Sequence, residues 1–217
     1  MKPFSLSNEK LAKYVYEVFR PEDSVLADIR ERACEAGLPD IHVGKMDGLH
    51  LEILTRSINA RKIVEIGTLA GYSGVCLARG LTEGGRLYTF EFEPKHAEVA
   101  AESFRRAAVS DKVQIIIGPA IENLKKIEGE GPFDLVFIDA DKRSYPAFFE
   151  WAVSNLRRGG VMLADNTFWQ GEIVNANANR SPRIKGLQEF NERCAKDSRL
   201  RATILPTSDG LTFAVRV

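Results

Sequence analysis

From residue 62 onward, short apolar runs alternate with longer stretches in which apolar residues recur at helical spacing. Apolar runs bounded by turn residues are typical of buried strands, and a spacing of three and four residues is typical of amphipathic helices. The predicted strands lie near 62–66, 86–91, 113–117, 133–138 and 160–164. The predicted helices lie near 72–81, 94–108, 120–127 and 144–156. This alternation predicts an α/β fold, in which a mostly parallel sheet carries helices on both faces.

The N-terminal part of the chain is predicted to be helical. Helices are expected at 8–19, with Ser7 as a candidate N-cap, and at 22–36, which ends near Gly37. A third helix is expected after Gly44, and its predicted inward face carries Met46, Leu49, Ile53 and Leu54. The first two helices are predicted either to cover a sheet edge or to form a subunit contact, and the sequence favours neither.

The C-terminal part carries one more predicted helix and a hairpin. Residues 183–196 have helical spacing, and the apolar segments 202–205 and 211–217 flank a turn at 206–210, which predicts an antiparallel hairpin. The irregular stretch 166–182 lies between strand and helix. Long loops in compact domains are often lids or binding loops, so we expect this stretch to border the functional site.

Composition restricts the class of protein. The length of 217 residues predicts one domain over 1–217, with a helical extension at 1–40. The 30 basic and 30 acidic side chains balance, which gives no reason to expect nucleic acid or an anionic membrane as partner. The three cysteines are far apart, which favours neither a disulfide framework nor a thiolate zinc site and fits a cytoplasmic protein. No apolar run approaches the roughly 20 residues of a membrane span, and no signal-peptide pattern begins the chain.

The first predicted strand ends in a glycine-rich turn that opens a helix. The spacing from Gly67 to Gly74 is G-x-x-x-G-x-x-G, which differs from the G-x-G-x-x-G of dinucleotide sites. Backbone N–H groups at such a turn bind polar ligand groups, although glycines also serve tight turns that bind nothing. Glu65 stands just before the turn, where it would repel a pyrophosphate and favour a cationic ligand. S-Adenosylmethionine carries an ammonium and a sulfonium and has no phosphate, so it fits this turn.

Acidic residues follow three of the predicted strands. Glu91 ends the second strand, at a distance from Gly67 that is typical of the carboxylate that binds a ribose in nucleotide folds. Asp139 follows the fourth strand, and Asp165 and Asn166 follow the fifth. If these two strands are neighbours, the three oxygen ligands converge and favour a hard divalent cation such as Mg²⁺, Ca²⁺ or Mn²⁺. Acids that only cap helices are the alternative.

Lys142 lies three residues after Asp139. A nearby cation lowers the pKa of a lysine, so Lys142 is a candidate general base; a solvated surface lysine is the alternative. His42, His50 and His96 lack the spacing of metal ligands, and no G-x-S-x-G nucleophile motif occurs.

Six segments occur in the order and spacing of one enzyme family. They are V-E-I-G-T-L-A-G-Y-S at 64–73, T-F-E at 89–91, G-P-A at 118–120, I-D-A-D-K at 138–142, D-N-T-F-W-Q-G at 165–171 and D-G-L at 209–211. With these motifs the chain resembles the class I, S-adenosylmethionine-dependent, cation-dependent O-methyltransferases, the group that includes the catechol and caffeoyl-CoA O-methyltransferases. The match runs from about Ile41 to the C-terminus.

The resemblance implies a role for each motif. Glu65, Gly67, Thr68 and Ser73 resemble the residues that bind the methionine moiety, together with the backbone of Val43. Glu91 is similar to the ribose carboxylate and Ala120 to an adenine contact. The residues that resemble the metal ligands are Asp139, which is also expected to take part in catalysis and cofactor binding, Asp165 and Asn166. Lys142 is similar to the catalytic lysine of the catechol-methylating branch. The implied sheet is Rossmann-like, with seven strands of which the last is antiparallel, and a homodimer is implied.

Two positions depart from the family pattern. The family often has Met where Ile41 stands, and Thr212 replaces an acid that contacts the substrate hydroxyl in the animal catechol enzyme. The expected acceptor is therefore a small planar phenol with adjacent hydroxyls, such as a catechol, a hydroxycinnamoyl ester or a flavonoid, without strict catechol preference. Three residues are candidates for the wall against its ring: Phe168, Trp169 and Tyr145. A place in the core is the alternative for Trp169.

Three other functions compete with this interpretation. An NAD-dependent oxidoreductase is disfavoured by the glycine spacing and Glu65. A sensor that only binds S-adenosylmethionine has no need of a metal site. A methyltransferase acting on nucleic acid is disfavoured by the balanced charge, whereas a protein substrate stays open.

Overall fold

The computed structural model describes residues 9–175, 181–207 and 209–217. The seven strands are β1 Lys62–Ile66, β2 Arg86–Glu91, β3 Val113–Ile117, β4 Phe133–Ile138, β5 Leu156–Ala164, β6 Leu200–Leu205 and β7 Leu211–Arg216. The helices of the described residues are α1 Glu9–Phe19, α2 Ser24–Glu35, α3 Lys45–Ser57, α4 Tyr72–Gly80, α5 Pro94–Arg106, α6 Ala120–Asn123, α7 Tyr145–Asn155 and α8 Pro182–Lys196. The predicted alternation of strands and helices is confirmed.

All seven strands form one sheet in the order β3-β2-β1-β4-β5-β7-β6. The pairs β1–β2, β1–β4, β2–β3 and β4–β5 are parallel, and β7 is antiparallel to both β5 and β6. This confirms the predicted sheet with an antiparallel last strand and the predicted C-terminal hairpin. Because β4 and β5 are neighbours, the residues that follow them lie at the same edge of the sheet.

Alternate strand residues face two apolar cores on opposite sides of the sheet. Ile63, Leu87 and Leu135 face a core that contains residues of α2, α3, α4 and α5. Val64 and Val136 face a second core, which contains residues of α7 and α8. Since both faces are covered, strands β1 and β4 are buried along almost their whole length, and the sheet holds their carboxyl ends in fixed positions.

Helix α2 begins two residues later than predicted, and the predicted start of the first helix at residue 8 lies outside the described residues. Ser7 lies outside the described residues, and α2 begins at Ser24 because the carboxylate of Asp23 accepts a hydrogen bond from the Leu26 N–H at 2.9 Å. Gly37 has a φ of +71° just beyond α2, which agrees with its predicted place at the end of that helix.

The predicted inward face of α3 is wrong in part, since Leu54 packs against the core but Met46, Leu49 and Ile53 are not among the buried residues of the helix. Its buried residues are Asp47, Gly48, Leu51 and Thr55, while Ile53 is 52% exposed. The reason is that α3 packs closely on α4 through glycines. A Cβ at Gly48 would lie 2.9 Å from the Tyr72 ring, and one at Gly80 would lie 2.5 Å from Thr55.

Across residues 9–175, 181–207 and 209–217, no helix combines the length and the apolar character needed to cross a bilayer.

Candidate active site

A cavity of about 620 Å³ opens at the carboxyl ends of β1, β2, β4 and β5. In open α/β sheets this edge is where ligands bind. Of the eleven candidate catalytic, cofactor-binding and metal-binding residues, nine line this cavity: Val43, Gly67, Thr68, Ser73, Glu91, Ala120, Asp139, Lys142 and Asn166. The other two, Glu65 and Asp165, are buried next to it, with 0% and 4% exposure.

The turn after β1 needs glycine for two reasons. Gly67 has a φ of +104°, and a Cβ there would lie 1.9 Å from the carbonyl oxygen of Asp139 on the neighbouring strand end. The turn continues through Leu69 with a φ of +50° and Gly71 with a φ of +84°, and α4 follows. The backbone of β1 therefore passes directly against that of β4, and this brings the turn and Asp139 to one cavity wall.

Glu65 is a fully buried carboxylate at the end of β1. Its Oε2 accepts a hydrogen bond of 2.6 Å from the Thr89 hydroxyl, whose oxygen lies 2.5 Å from the hydroxyl of Thr68. Its Oε1 has no hydrogen-bond partner among the described residues. Burial raises the pKa of Glu65 to about 7, and the hydrogen bonds offset only part of this. Such an orphaned oxygen fits a cationic ligand group.

Glu91 is held at the end of β2 by backbone donors. Its Oε2 accepts hydrogen bonds from the N–H groups of Thr68 at 3.2 Å and Leu69 at 2.7 Å. Its Oε1 accepts one from the N–H of Glu93 at 3.0 Å. The glycine turn and the start of α5 therefore fix the carboxylate against the cavity.

Lys142 is buried, and three oxygens surround its ammonium. Nζ lies 2.8 Å from Oδ1 of Asp139, 2.6 Å from the Tyr145 hydroxyl and 3.4 Å from the carbonyl of Asp165. Helix α8 packs on this turn through Gly186, where a Cβ would lie 2.4 Å from the Lys142 carbonyl oxygen. The amine therefore has a fixed position beside Asp139, and the alternative of a solvated surface lysine is wrong.

Asp165 and Asn166 follow β5 next to Asp139. Oδ1 of Asp165 accepts a hydrogen bond of 2.7 Å from the Asn166 N–H, and Asn166 has a φ of +57°. Burial, and after it the negative charge of Asp139, raise the pKa of Asp165. In the described part of the chain, no group of three or more His, Cys, Asp or Glu side chains is arranged to hold a metal ion. The candidate set consists of two carboxylates and one amide.

Two segments build the end of the cavity nearest Lys142. The loop at 167–170 is tied to the turn before β7, because the Thr167 N–H donates to the Gly210 carbonyl at 3.0 Å and the Gln170 N–H donates to Oδ1 of Asp209 at 2.5 Å. Trp169 and Asp209 line the cavity. The predicted loop 166–182 therefore contributes Asn166, Trp169 and Gln170 to the cavity wall, while 176–180 lie outside the described residues.

Two candidate ring-wall residues do not line the cavity. Tyr145 is fully buried between Lys142 and Phe190, and Phe168 packs beneath Gly210.

Thr212 is also buried, with its hydroxyl 3.1 Å from that of Thr167 and 3.3 Å from Oδ1 of Asn191. These contacts hold Thr212 within the protein interior.

The sequence did not single out every polar residue of the cavity. His42, His96, Tyr72, Arg183 and Asp209 also line it. The spacing of the histidines in the sequence does not predict metal ligands, so they were not among the candidate site residues. For His96, the available signal was its place in the first turn of α5, five residues after Glu91.

The comparisons with known proteins agree with this architecture. The profile of a family described as O-methyltransferase matches residues 16–217. A catechol O-methyltransferase of Niastella koreensis is 38% identical over 214 residues, which cover 95% of this chain and 96% of the relative. The structure of an O-methyltransferase from Bacillus cereus in complex with SAH has a TM-score of 0.91 at 40% identity, covering 96% of this chain and 97% of that one.

A second solved structure extends the likeness to the whole of the other chain. The O-methyltransferase of Streptomyces achromogenes involved in tomaymycin synthesis, in complex with SAM, has a TM-score of 0.90 at 34% identity and covers 98% of this chain and 100% of that one. The sequence motifs, the family profile and the relatives all point to the same kind of enzyme over nearly the whole chain. It therefore belongs to the family of S-adenosylmethionine-dependent O-methyltransferases that its motifs predicted.

Proposed function

We propose that the protein transfers the methyl group of S-adenosylmethionine to a hydroxyl of a small aromatic acceptor with adjacent hydroxyls, assisted by a divalent cation. The observation that carries this proposal is a single cavity with two chemically different regions. One region adjoins the orphaned carboxylate oxygen of Glu65 and the carboxylate of Glu91. The other adjoins Asp139, Asn166 and the amine of Lys142. The region beside Glu65 and Glu91 suits a cationic nucleoside. The region beside Asp139, Asn166 and Lys142 suits an acceptor hydroxyl that loses its proton.

The cofactor is assigned to the glycine-turn side of the cavity. Glu65 would pair with the ammonium of S-adenosylmethionine, since its buried Oε1 has no partner among the described residues. Glu91 would receive the ribose, and Ala120 would contact the adenine. Val43, Gly67, Thr68 and Ser73 would complete the methionine site. The bound cofactor supplies the sulfonium methyl. The rigid strand ends would hold it in line with the acceptor oxygen, and such positioning is a large part of catalysis.

A divalent cation would be held by Asp139, Asp165 and Asn166. All three offer oxygen ligands, which suits Mg²⁺, Ca²⁺ or Mn²⁺. The set fits a cation for a second reason, because the neighbouring carboxylates of Asp139 and Asp165 repel each other and a positive ion would offset this. Such an ion supplies Lewis-acid chemistry at the acceptor oxygens.

Lys142 is proposed as the proton acceptor. Nζ lies 2.8 Å from Oδ1 of Asp139, so an acceptor hydroxyl that reaches Asp139 also reaches the amine. Tyr145 keeps the amine there through its hydroxyl, 2.6 Å from Nζ. In its neutral form the amine takes the proton of the acceptor hydroxyl, and the resulting ammonium returns to the hydrogen bonds described above.

The acceptor is proposed to be a planar phenol. Trp169 and Ile41 line the cavity and offer apolar surface against a ring. The relative from Niastella koreensis is a catechol O-methyltransferase, which supports a vicinal diol. Thr212 stands where the animal catechol enzyme has an acid, and its buried hydroxyl is hydrogen-bonded to Thr167 and Asn191. This supports a broader range of acceptors that includes hydroxycinnamoyl esters and flavonoids.

We also propose a cytoplasmic homodimer with no nucleic-acid or membrane partner. The cysteines Cys34, Cys76 and Cys194 are free, which fits a reducing compartment. Tyr14, Val18 and Phe19 on α1 are each more than half exposed and offer an apolar surface to a second copy. Balanced charge supports the absence of a nucleic-acid partner.

The test is methyl transfer from S-adenosylmethionine to three matched acceptors: catechol, resorcinol and phenol. With Mg²⁺, catechol should be methylated at least roughly 100-fold faster than the other two, because only adjacent hydroxyls chelate one cation. EDTA should abolish the reaction and added Mg²⁺ should restore it. Asp165→Ala should lose the metal-dependent rate, whereas Asp111→Ala, a surface control, should keep it. Equal rates for the three acceptors, or a rate unaffected by EDTA, would refute the proposed cation and acceptor.

A further inference from the structure

His96 lies in the first turn of α5 and faces the same cavity as Glu91. Its Nδ1 is 3.3 Å from Oε1 of Glu91, and its side chain is 22% exposed. The turn that carries it is fixed, since α5 begins with Pro94 and the N–H of Ala97 donates to the Glu93 carbonyl at 3.1 Å. A polar ring is therefore held beside the carboxylate that would receive the ribose.

The hydrogen bonds of Glu91 leave it little capacity for a ribose diol. A carboxylate offers about four acceptor positions. Three of them are used by the backbone N–H groups of Thr68, Leu69 and Glu93, at 3.2, 2.7 and 3.0 Å. These donors belong to the glycine turn and to the start of α5, so they do not move independently. About one position on Oε1 is left, whereas a ribose brings two hydroxyl donors.

The chemistry of the imidazole supplies the missing acceptor. The Nδ1–Oε1 distance of 3.3 Å is an electrostatic contact and not one of the hydrogen bonds of the carboxylate, so the fourth acceptor position of Glu91 stays open, while its negative charge favours a proton on Nδ1 of His96. In the neutral ring Nε2 is then an acceptor. Glu91 thus selects the tautomer of His96 that can receive a hydroxyl, as carboxylates do for functional histidines elsewhere.

We propose that His96 binds the ribose of the cofactor, taking one hydroxyl at Nε2 while Oε1 of Glu91 takes the other. This inference rests on the proposed assignment of the cofactor to the cavity, and it adds a residue to that site. The ribose is then recognised by a carboxylate–imidazole pair. Because each partner receives one hydroxyl, removal of either ribose hydroxyl should lower the affinity for the cofactor.

Isothermal titration of S-adenosylhomocysteine and of its 2′-deoxy and 3′-deoxy analogues tests the pair without any turnover. His96→Ala should bind S-adenosylhomocysteine roughly five- to tenfold more weakly than the unmodified protein, which is the usual contribution of one such hydrogen bond. For the analogue that lacks the hydroxyl received by His96, the two proteins should bind equally. His96→Gln keeps an acceptor oxygen and should recover part of the affinity.

Two further variants separate the outcomes. Lys95→Ala, an exposed neighbour on the same helical turn, should bind all three ligands as the unmodified protein does. Glu91→Ala should lose affinity for S-adenosylhomocysteine; if it does not, the proposed cofactor site itself is wrong. If Glu91→Ala behaves as expected but the loss in His96→Ala persists for both deoxy analogues, or is absent for S-adenosylhomocysteine, the role of His96 is refuted and the cofactor site stands.

Discussion

At the scale of single residues, the most constrained group in the site is the amine of Lys142. It is buried and lies against the Tyr145 hydroxyl, which in turn lies 2.9 Å from the Asp165 carbonyl and 3.1 Å from the Ile138 carbonyl. The phenol therefore donates to a carbonyl at the end of β4 or β5 and accepts from the amine. Tyr145 therefore orients the amine of Lys142 and does not itself line the cavity.

Tyr145→Phe tests this role. The ring contact with Phe190, at 5.2 Å between centroids, stays, and only the hydroxyl is lost. We expect kcat to fall roughly tenfold, because the amine loses one hydrogen bond that orients it. Lys142→Met should lower kcat by at least about 100-fold, since general-base catalysis contributes that much or more. Titration should show that both variants bind S-adenosylmethionine as the unmodified protein does; an equal loss in kcat and in cofactor affinity would contradict the assignment.

Glu65 makes the stability of the empty protein depend on pH. Its pKa is about 7 in the folded protein and about 4.5 in the unfolded chain. Between these values the unfolded chain releases a proton that the folded protein keeps, so stability falls as pH rises through this window. The full shift corresponds to about 3 kcal/mol. Below pH 4.5 this contribution is fully present, and above pH 7 it is lost.

Thermal unfolding of the empty protein from pH 5 to pH 8 measures this effect. The Tm of the unmodified protein should fall relative to that of Glu65→Gln, which cannot titrate. S-Adenosylmethionine should bind more tightly as pH rises from 6 to 8, because its ammonium needs the ionised carboxylate. Parallel Tm curves for the two proteins would show that Glu65 is ionised throughout.

Residues at strand ends were predictable from the sequence, whereas residues that act through a neighbour were not. Asp139, Asp165 and Asn166 directly follow apolar runs, and the parallel sheet collects such positions at one edge. The contact of Tyr145 with Lys142 depends on a side-chain direction within the turn after β4, and that of His96 with Glu91 depends on how α5 packs. The spacing of apolar residues predicts neither the direction of the Tyr145 side chain nor the packing of α5.

At the scale of secondary-structure elements, the glycine turn between β1 and α4 fixes the site. Its spacing was readable because a strand, a glycine and a helix follow each other in sequence. The reason for Gly67 was not, because its close contact is with Asp139 on another strand. The buried face of α3 was missed for a related reason, since Gly48 and Gly80 rather than large apolar residues set the α3–α4 contact.

Gly67→Ala and Gly84→Ala form a matched pair. Both glycines have positive φ, +104° and +69°, but a Cβ at Gly67 would meet the Asp139 carbonyl at 1.9 Å, whereas one at Gly84 would meet nothing within 4 Å. We expect Gly84→Ala to cost about 1–2 kcal/mol of unfolding free energy, from the backbone conformation alone. Gly67→Ala should cost clearly more, above about 3 kcal/mol, and should weaken cofactor binding. Urea denaturation gives both values, and equal costs would contradict the close β1–β4 approach.

At the scale of the whole molecule, the alternation of strands and helices predicted the two-layered covering of the sheet, and the resemblance predicted seven strands with an antiparallel last one. The strand order required the structure, because neighbours such as β1 and β4 are separated by two other strands in sequence. That order is what brings Glu91 and Asp139 to one cavity, with Glu65 buried next to it.

The most direct test of the account is titration of S-adenosylmethionine into the metal-free protein at pH 7.5, with Glu65→Gln beside it. One cofactor should bind per chain, and the variant should bind roughly tenfold or more weakly, because a hydrogen bond from a charged group to a buried carboxylate is lost. Binding of both proteins with the same affinity would remove Glu65 from the site. No binding to the unmodified protein would contradict the assignment of the strand-end cavity to the cofactor.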